Sequence, residues 1–159
     1  MTKKYFILIG IILLIGILFF VFSSKKTSSF ENVNNFDEEI IIYKSSTCGC
    51  CELYADYFKR NGNSNVKIIS AENIEGIKKK YGVPSQVESC HTVIIGDYFV
   101  EGHVPLEAIE KLLQEKPDIK GIGIPGMPSG SPGMPGGKKE SFVIYAVNND
   151  GSTYEFMRM

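Results

Sequence analysis

An α/β domain of order β-α-β-α-β-β-α, preceded by one membrane-spanning helix and finished by a loop and a β-hairpin, is predicted by three observations. Residues 5–22, "YFILIGIILLIGILFFVF", form an apolar run without a charge. Between residues 38 and 117, short continuous apolar runs alternate with stretches whose apolar residues recur at helical spacing. Residues 121–137, "GIGIPGMPSGSPGMPGG", then interrupt the pattern before two further apolar runs flank Asn149-Asp150-Gly151.

At about 1.5 Å per residue, a helix over residues 5–22 reaches about 27 Å, roughly the hydrocarbon core of a bilayer. A secretory signal core is shorter, roughly 7–15 residues. The segment therefore reads as an uncleaved signal anchor, with secretion or periplasmic release after cleavage at Val21-Phe22-Ser23 as the alternative. Lys3 and Lys4 precede it and Lys25 and Lys26 follow it, so flanking charge is nearly balanced. The N-terminal amine tips the orientation: residues 1–4 cytoplasmic, the C-terminal domain extracytoplasmic, a single-pass protein of the cell membrane. Residues 23–37, "SSKKTSSFENVNNFD", are rich in Ser, Asn and charge and read as a polar linker. The folded domain is expected over residues 38–159.

Each element then follows. "EEIIIYK" (38–44) has the continuous apolar centre of a buried strand. Leu53, Tyr54, Tyr57 and Phe58 recur at i, i+4 and make a helix that stops near Asn61-Gly62. "NVKIIS" (65–70) is a second strand. Ile74, Ile77 and Tyr81 mark a second helix, ended by Gly82 with Pro84 beyond. "HTVIIGDYFVEG" is two strands about a Gly96-Asp97 turn. Pro105 suits a first helical turn, Leu106, Ile109 and Leu113 continue one face, and Pro117 ends that helix. The 121–137 segment is a Pro/Gly/Met loop, pinned by a hairpin over 141–157. A parallel β-α-β followed by a β-hairpin and a helix is the thioredoxin-like arrangement.

Three of the four cysteines fall within "CGCC": Cys48, Cys50 and Cys51. In the expected fold they lie where the first strand meets the first helix, whose unpaired N–H groups and partial positive charge favour thiolate. Cys90 and His91 stand where thioredoxin-like proteins usually carry a cis-proline, beside the same helix start. Cys48 and Cys51 alone make a C-x-x-C redox pair, which leaves Cys50 idle. Neighbouring side chains at a helix start diverge, so Cys50, Cys51 and Cys48 are expected to share several ions rather than one tetrahedral ion. Soft thiolates select monovalent copper, and the clustering favours metal over redox chemistry. Cys48, Cys51, Cys90 and His91 could also form a Cys₃His zinc site, or the four cysteines hold an iron–sulfur cluster, though neither has its usual spacing.

His103, in "EGHVP" before a helix start, is expected to be a neutral imidazole and suits an outer position better than a direct ligand. Met127 and Met134 repeat within Pro-Gly-Met-Pro. Their thioethers either anchor the loop on apolar surface or meet a soft metal. Formal net charge is -1, so no basic face for nucleic acid is implied. No Ser-His-Asp set, carboxylate pair, phosphate loop or dinucleotide fingerprint is present.

"YKSSTCGCC", "YGVPSQVESCHT", "VEGHVP" and "PGMPSGSPGM", in that order from about Ile40 onward, resemble the small thioredoxin-like metal-binding family of copper-resistance systems, the CopG-like family. The resemblance implies an exported copper-handling protein rather than a well-established enzyme, with Cys48, Cys50, Cys51 and Cys90 as its sulfur cluster. His91, His103, Met127 and Met134 also match motif positions. The partners expected are metal ions, the membrane through the N-terminal helix, and a copper-efflux or copper-delivery protein. Thiol–disulfide oxidoreductase activity through Cys48 and Cys51 is the alternative.

Overall fold

The computed structural model describes residues 30–159. Residues 1–4, the membrane-spanning segment expected over 5–22 and residues 23–29 of the linker expected over 23–37 lie outside the described residues. Among the described residues, no helix is long and apolar enough to cross a membrane.

The described chain is a mixed α/β fold of seven strands and four α-helices. In order these are α1 (Glu31–Asn34), β1 (Ile40–Lys44), α2 (Gly49–Asn61), β2 (Val66–Ser70), α3 (Ile74–Tyr81), β3 (His91–Ile95), β4 (Tyr98–Glu101), α4 (Leu106–Glu115), β5 (Gly121–Gly123), β6 (Val143–Val147) and β7 (Thr153–Arg158). The strands form one sheet ordered β2-β1-β3-β4-β5-β6-β7. β1 runs parallel to β2 and antiparallel to β3, and β3 and β4 form the hairpin read from "HTVIIGDYFVEG".

The apolar run of β1 is continuous because both of its faces are covered. Ile40 and Ile42 enter the main core with Tyr54, Ala55 and Phe58 of α2 and Leu106, Ile109 and Leu112 of α4. Tyr43 points the other way, toward Tyr81 of α3 at 6.1 Å between ring centroids. That second face holds a smaller cluster of Val83, Val87, Phe99 and Val147. α3 begins where the Asn73 side chain accepts from Gly76 N–H at 2.8 Å and ends at Gly82, whose φ of 70° is left-handed.

Two boundaries differ from the sequence expectation. The domain does not begin at Glu38. α1 already packs on it, with Val33 wholly buried and Phe30 and Phe36 against the core. Glu110 of α4 accepts from the N–H groups of Asn32 and Val33, both at 3.0 Å, and so caps α1. The Asn63 amide donates to the carbonyls of Val33, Asn34 and Phe36 at 3.0, 3.3 and 2.9 Å. The apolar residues here are spaced by three within a polar stretch, too sparse to stand out as a period. Asn63→Ala is expected to lower stability by about 1–3 kcal/mol, because buried carbonyls lose their donor. Urea unfolding of residues 30–159 measures it, and amide exchange should accelerate over residues 31–36.

The loop, likewise, does not begin at residue 121. Gly121–Gly123 is strand β5, parallel to β4 and antiparallel to β6. At Gly121 a Cβ would overlap the Phe99 carbonyl, so only glycine lets the strands approach. Glycines at such a contact look like loop in sequence. The hairpin expected over 141–157 forms as β6 and β7, and β5 joins it to the main sheet.

Candidate metal centre

The parallel β1–β2 pair and the α2 crossover between them put Cys48 at the N-cap of α2, with Cys50 and Cys51 in its first turn. The Cys48 side chain makes no capping hydrogen bond. β3 pairs with β1 so that His91 sits opposite Lys44, just before the helix start. That register carries Cys90, distant in sequence, to the first three cysteines. The four sulfur atoms all lie within 4.8 Å of one another. Adjacent Cys50 and Cys51 therefore converge here, contrary to the divergence expected of neighbours. Cys48 stands between the two: from the N-cap its sulfur lies 3.5 Å from that of Cys50 and is bonded to that of Cys51. Cys48 and Cys51 are joined as a disulfide, with Cα atoms 5.4 Å apart, while Cys50 and Cys90 are free.

Cys90 belongs to a second group as well. Its sulfur lies 3.3 Å from His91 Nδ1 and 3.1 Å from His103 Nε2. Cys90, His91 and His103 thus present three donor atoms within 4.8 Å. His103 Nδ1 is 2.7 Å from the Pro132 carbonyl oxygen. A carbonyl only accepts, so Nδ1 carries the proton and Nε2 turns its lone pair to Cys90. His91 stacks on Tyr54 at 4.4 Å between centroids, and its Nε2 is a buried atom without a hydrogen-bond partner. Tyr54 is held in turn by its hydroxyl, which donates to the Val104 carbonyl at 2.9 Å.

The Pro/Gly/Met loop closes over this arrangement. Gly133, at φ 78°, lies against α2. A Cβ there would stand 2.6 Å from Tyr54 N and 3.0 Å from Cys50 O. Pro132 orients His103, and Ser89 Oγ donates to the Gly126 carbonyl. Met127 is 54% exposed and Met134 is half-buried, so the two copies of Pro-Gly-Met-Pro occupy different surroundings.

Burial sets the electrostatics. It pushes the Cys90 thiol up to about 11, with the nearby Cys50 adding to the rise. His91 falls well below the ordinary histidine range, mainly through burial and then through His103 and Lys78. His103 is lowered by burial, with the Pro132 contact opposing. Both imidazoles are thus neutral at pH 7, the form that ligates metal.

The donor set fits a soft metal. At about 2.3 Å from a shared ion, tetrahedral thiolates stand about 3.8 Å apart; the Cys48 and Cys50 sulfurs, 3.5 Å apart, are close to that spacing, whereas those of Cys48 and Cys51 are bonded to each other. The Cys48–Cys51 disulfide must gain two electrons before both sulfurs can bind. Tyr54, Ser89 and Pro132 carry no sequence signal of a role here: Tyr54 falls on the apolar face of its helix, and Ser89 and Pro132 in irregular stretches.

A family model described as a protein of unknown function, DUF411, matches residues 87–134, the stretch from the turn before Cys90 through Met134. No match was found among curated proteins. Two solved structures, titled copper resistance protein copG, form 1 and form 2, are each 34% identical to the chain with a TM-score of 0.70. Each alignment covers 76% of this chain, and 96% and 97% of the respective structures. Together with the cysteine cluster, that likeness points to copper-related metal binding. At that identity, over nearly the whole of both structures, the chain belongs to the CopG-like copper-resistance family.

Proposed function

We propose that the protein binds Cu(I) through a thiolate cluster of Cys48, Cys50, Cys51 and Cys90, as a sequestering or transfer protein in copper resistance. The observation that carries this reading is the convergence of four sulfur atoms within 4.8 Å. A redox pair needs two. Four soft donors beside two neutral imidazoles suit monovalent copper better than a harder cation. His91 and His103 border the cluster as additional or outer ligands. We place the domain among thioredoxin-like folds, on the order β2-β1-β3-β4 with the cysteines at the start of α2. The apolar run at 5–22 supports a tether with the cysteine domain on the extracytoplasmic side. Labelling the thiols of intact cells with an impermeant reagent tests that placement. Protection until lysis contradicts it.

The test of binding is metal analysis of the reduced full-length protein, purified anaerobically in detergent and loaded with Cu(I). At least one copper per chain is expected, and less than one overturns the reading. The same protein measured at several pH values should bind more tightly as pH rises. Cys90 is a thiol at neutral pH, so it must give up its one proton to bind copper as a thiolate. Between pH 6 and 8 the apparent affinity is expected to climb about tenfold per pH unit for each proton displaced. An affinity flat over that range means that Cys90 is not a ligand.

The Cys48–Cys51 disulfide favours a second reading, thiol–disulfide exchange. It requires disulfide reductase activity in the metal-free protein that survives Cys50→Ser and Cys90→Ser. Deleting the loop cannot separate partner docking from metal binding cleanly, because Pro132 orients His103 and Gly133 seats on Cys50. A copper-efflux or copper-delivery partner is better sought with Met127→Ala, which alters an exposed side chain.

A further inference from the structure

The back of the sheet holds a charged pair that the metal chemistry does not use. Glu101 of β4 is fully buried, and Lys78 of α3 is 2% exposed. They form an ion pair on the α3 side of the sheet, opposite the face on which His91 meets Tyr54. Two buried charges are costly to desolvate, and α3 has exposed positions where a lysine would cost nothing. The Glu101 carboxylate has two further partners. It accepts from Ser89 N–H at 2.7 Å and from the Thr92 hydroxyl at 2.6 Å. Ser89 and Thr92 are the residues on either side of Cys90-His91. One carboxylate therefore grips both ends of the segment that presents the fourth sulfur and the stacked imidazole. Lys78 neutralises it and ties the grip to α3. Gly102 N–H adds a bond to the His91 carbonyl at 2.9 Å, so the segment is fixed along its length.

We propose that Glu101, held by Lys78, is a positioning residue for the metal centre: through Ser89 and Thr92 it fixes where Cys90 and His91 stand relative to the α2 cysteines. This rests on the reading of Cys90 as a copper ligand. Glu101 itself reaches the site only through backbone and the Thr92 hydroxyl. Its effect is to keep the donors assembled before metal arrives, which is how outer partners raise metal affinity.

Two double variants of the reduced full-length protein in detergent separate positioning from stability. Lys78→Met with Glu101→Gln removes both charges and keeps an acceptor for Ser89. Lys78→Met with Glu101→Leu removes the charges and the acceptor at similar volume. Cu(I) affinity is read by chelator competition, and Cys90 geometry without metal by its alkylation rate, located by mass spectrometry. The glutamine variant is expected to match wild type in both. The leucine variant is expected to lose about tenfold in affinity and to alkylate faster at Cys90. A folded leucine variant with wild-type affinity and alkylation overturns the proposal. If wild type binds no copper, the functional reading fails, and the alkylation comparison still decides the positioning role. If the leucine variant does not fold, Thr92→Val, which cuts one arm of the grip, takes its place. Faster Cys90 alkylation supports the proposal, and an unchanged rate overturns it.

Discussion

Cys90→Ser is expected to weaken Cu(I) binding by more than the roughly 10–100-fold that loss of an outer partner costs. The reason is its position. Cys48, Cys50 and Cys51 come from one turn of chain, whereas Cys90 is brought to them by the β1–β3 pairing. It alone belongs to both the four-sulfur group and the group formed with His91 and His103. Removing its sulfur leaves three thiols at the mouth of α2 and two imidazoles with no sulfur between them. A serine hydroxyl is a hard donor and stays protonated, so it cannot replace the thiolate toward monovalent copper. The swap is nearly isosteric at a half-buried position, and the fold should be retained. Copper per chain and chelator competition provide the measurement, with thermal unfolding as the control. A folded Cys90→Ser protein with undiminished affinity removes Cys90 from the centre. Disulfide reductase activity that persists in that variant would move the balance toward the Cys48–Cys51 redox reading.

How much of this was legible in the sequence depended on whether a signal was periodic or local. β1, β2, the β3–β4 hairpin and all three longer helices are read from apolar spacing, because each buries a regular face. The four cysteines are legible as a site because three crowd into four positions. Their geometry is not. The sequence shows adjacent Cys50 and Cys51, but the β1–β3 register that carries Cys90 to them is a tertiary fact. Two segments failed for opposite reasons. Phe30, Val33 and Phe36 are too few to outweigh a polar stretch, although Asn63 and Glu110 wait to receive them. Gly121 and Gly123 suppress strand propensity in β5, where a side chain at Gly121 would collide with Phe99 of β4. His103 was readable as a neutral imidazole. Its tautomer was not, since the Pro132 carbonyl that sets it lies 29 residues away in the loop.

The Lys78–Glu101 pair belongs to the same class of long-range fact, and it supports the second large prediction. Lys78→Met alone is expected to destabilise residues 30–159 by about 3–5 kcal/mol, since Glu101 is left as an uncompensated charge within the protein. The Ser89 and Thr92 donors remain, but two neutral hydrogen bonds replace less of the lost hydration than a cation does. Lys78→Met combined with Glu101→Gln should recover most of that loss, because a neutral pair in place of a buried ion pair is often neutral or stabilising. Urea unfolding of Lys78→Met, Glu101→Gln and the double variant gives the coupling directly, and a coupling near zero would mean that the charges do not sense each other. The two outcomes bear differently on the metal centre. A large single-variant loss that the double variant repairs makes the charge of Glu101 dispensable and leaves its hydrogen bonds to Ser89 and Thr92 as the part that matters. The grip on Cys90 and His91 is then a matter of acceptors held in place, and the lysine is present because a carboxylate is the acceptor used.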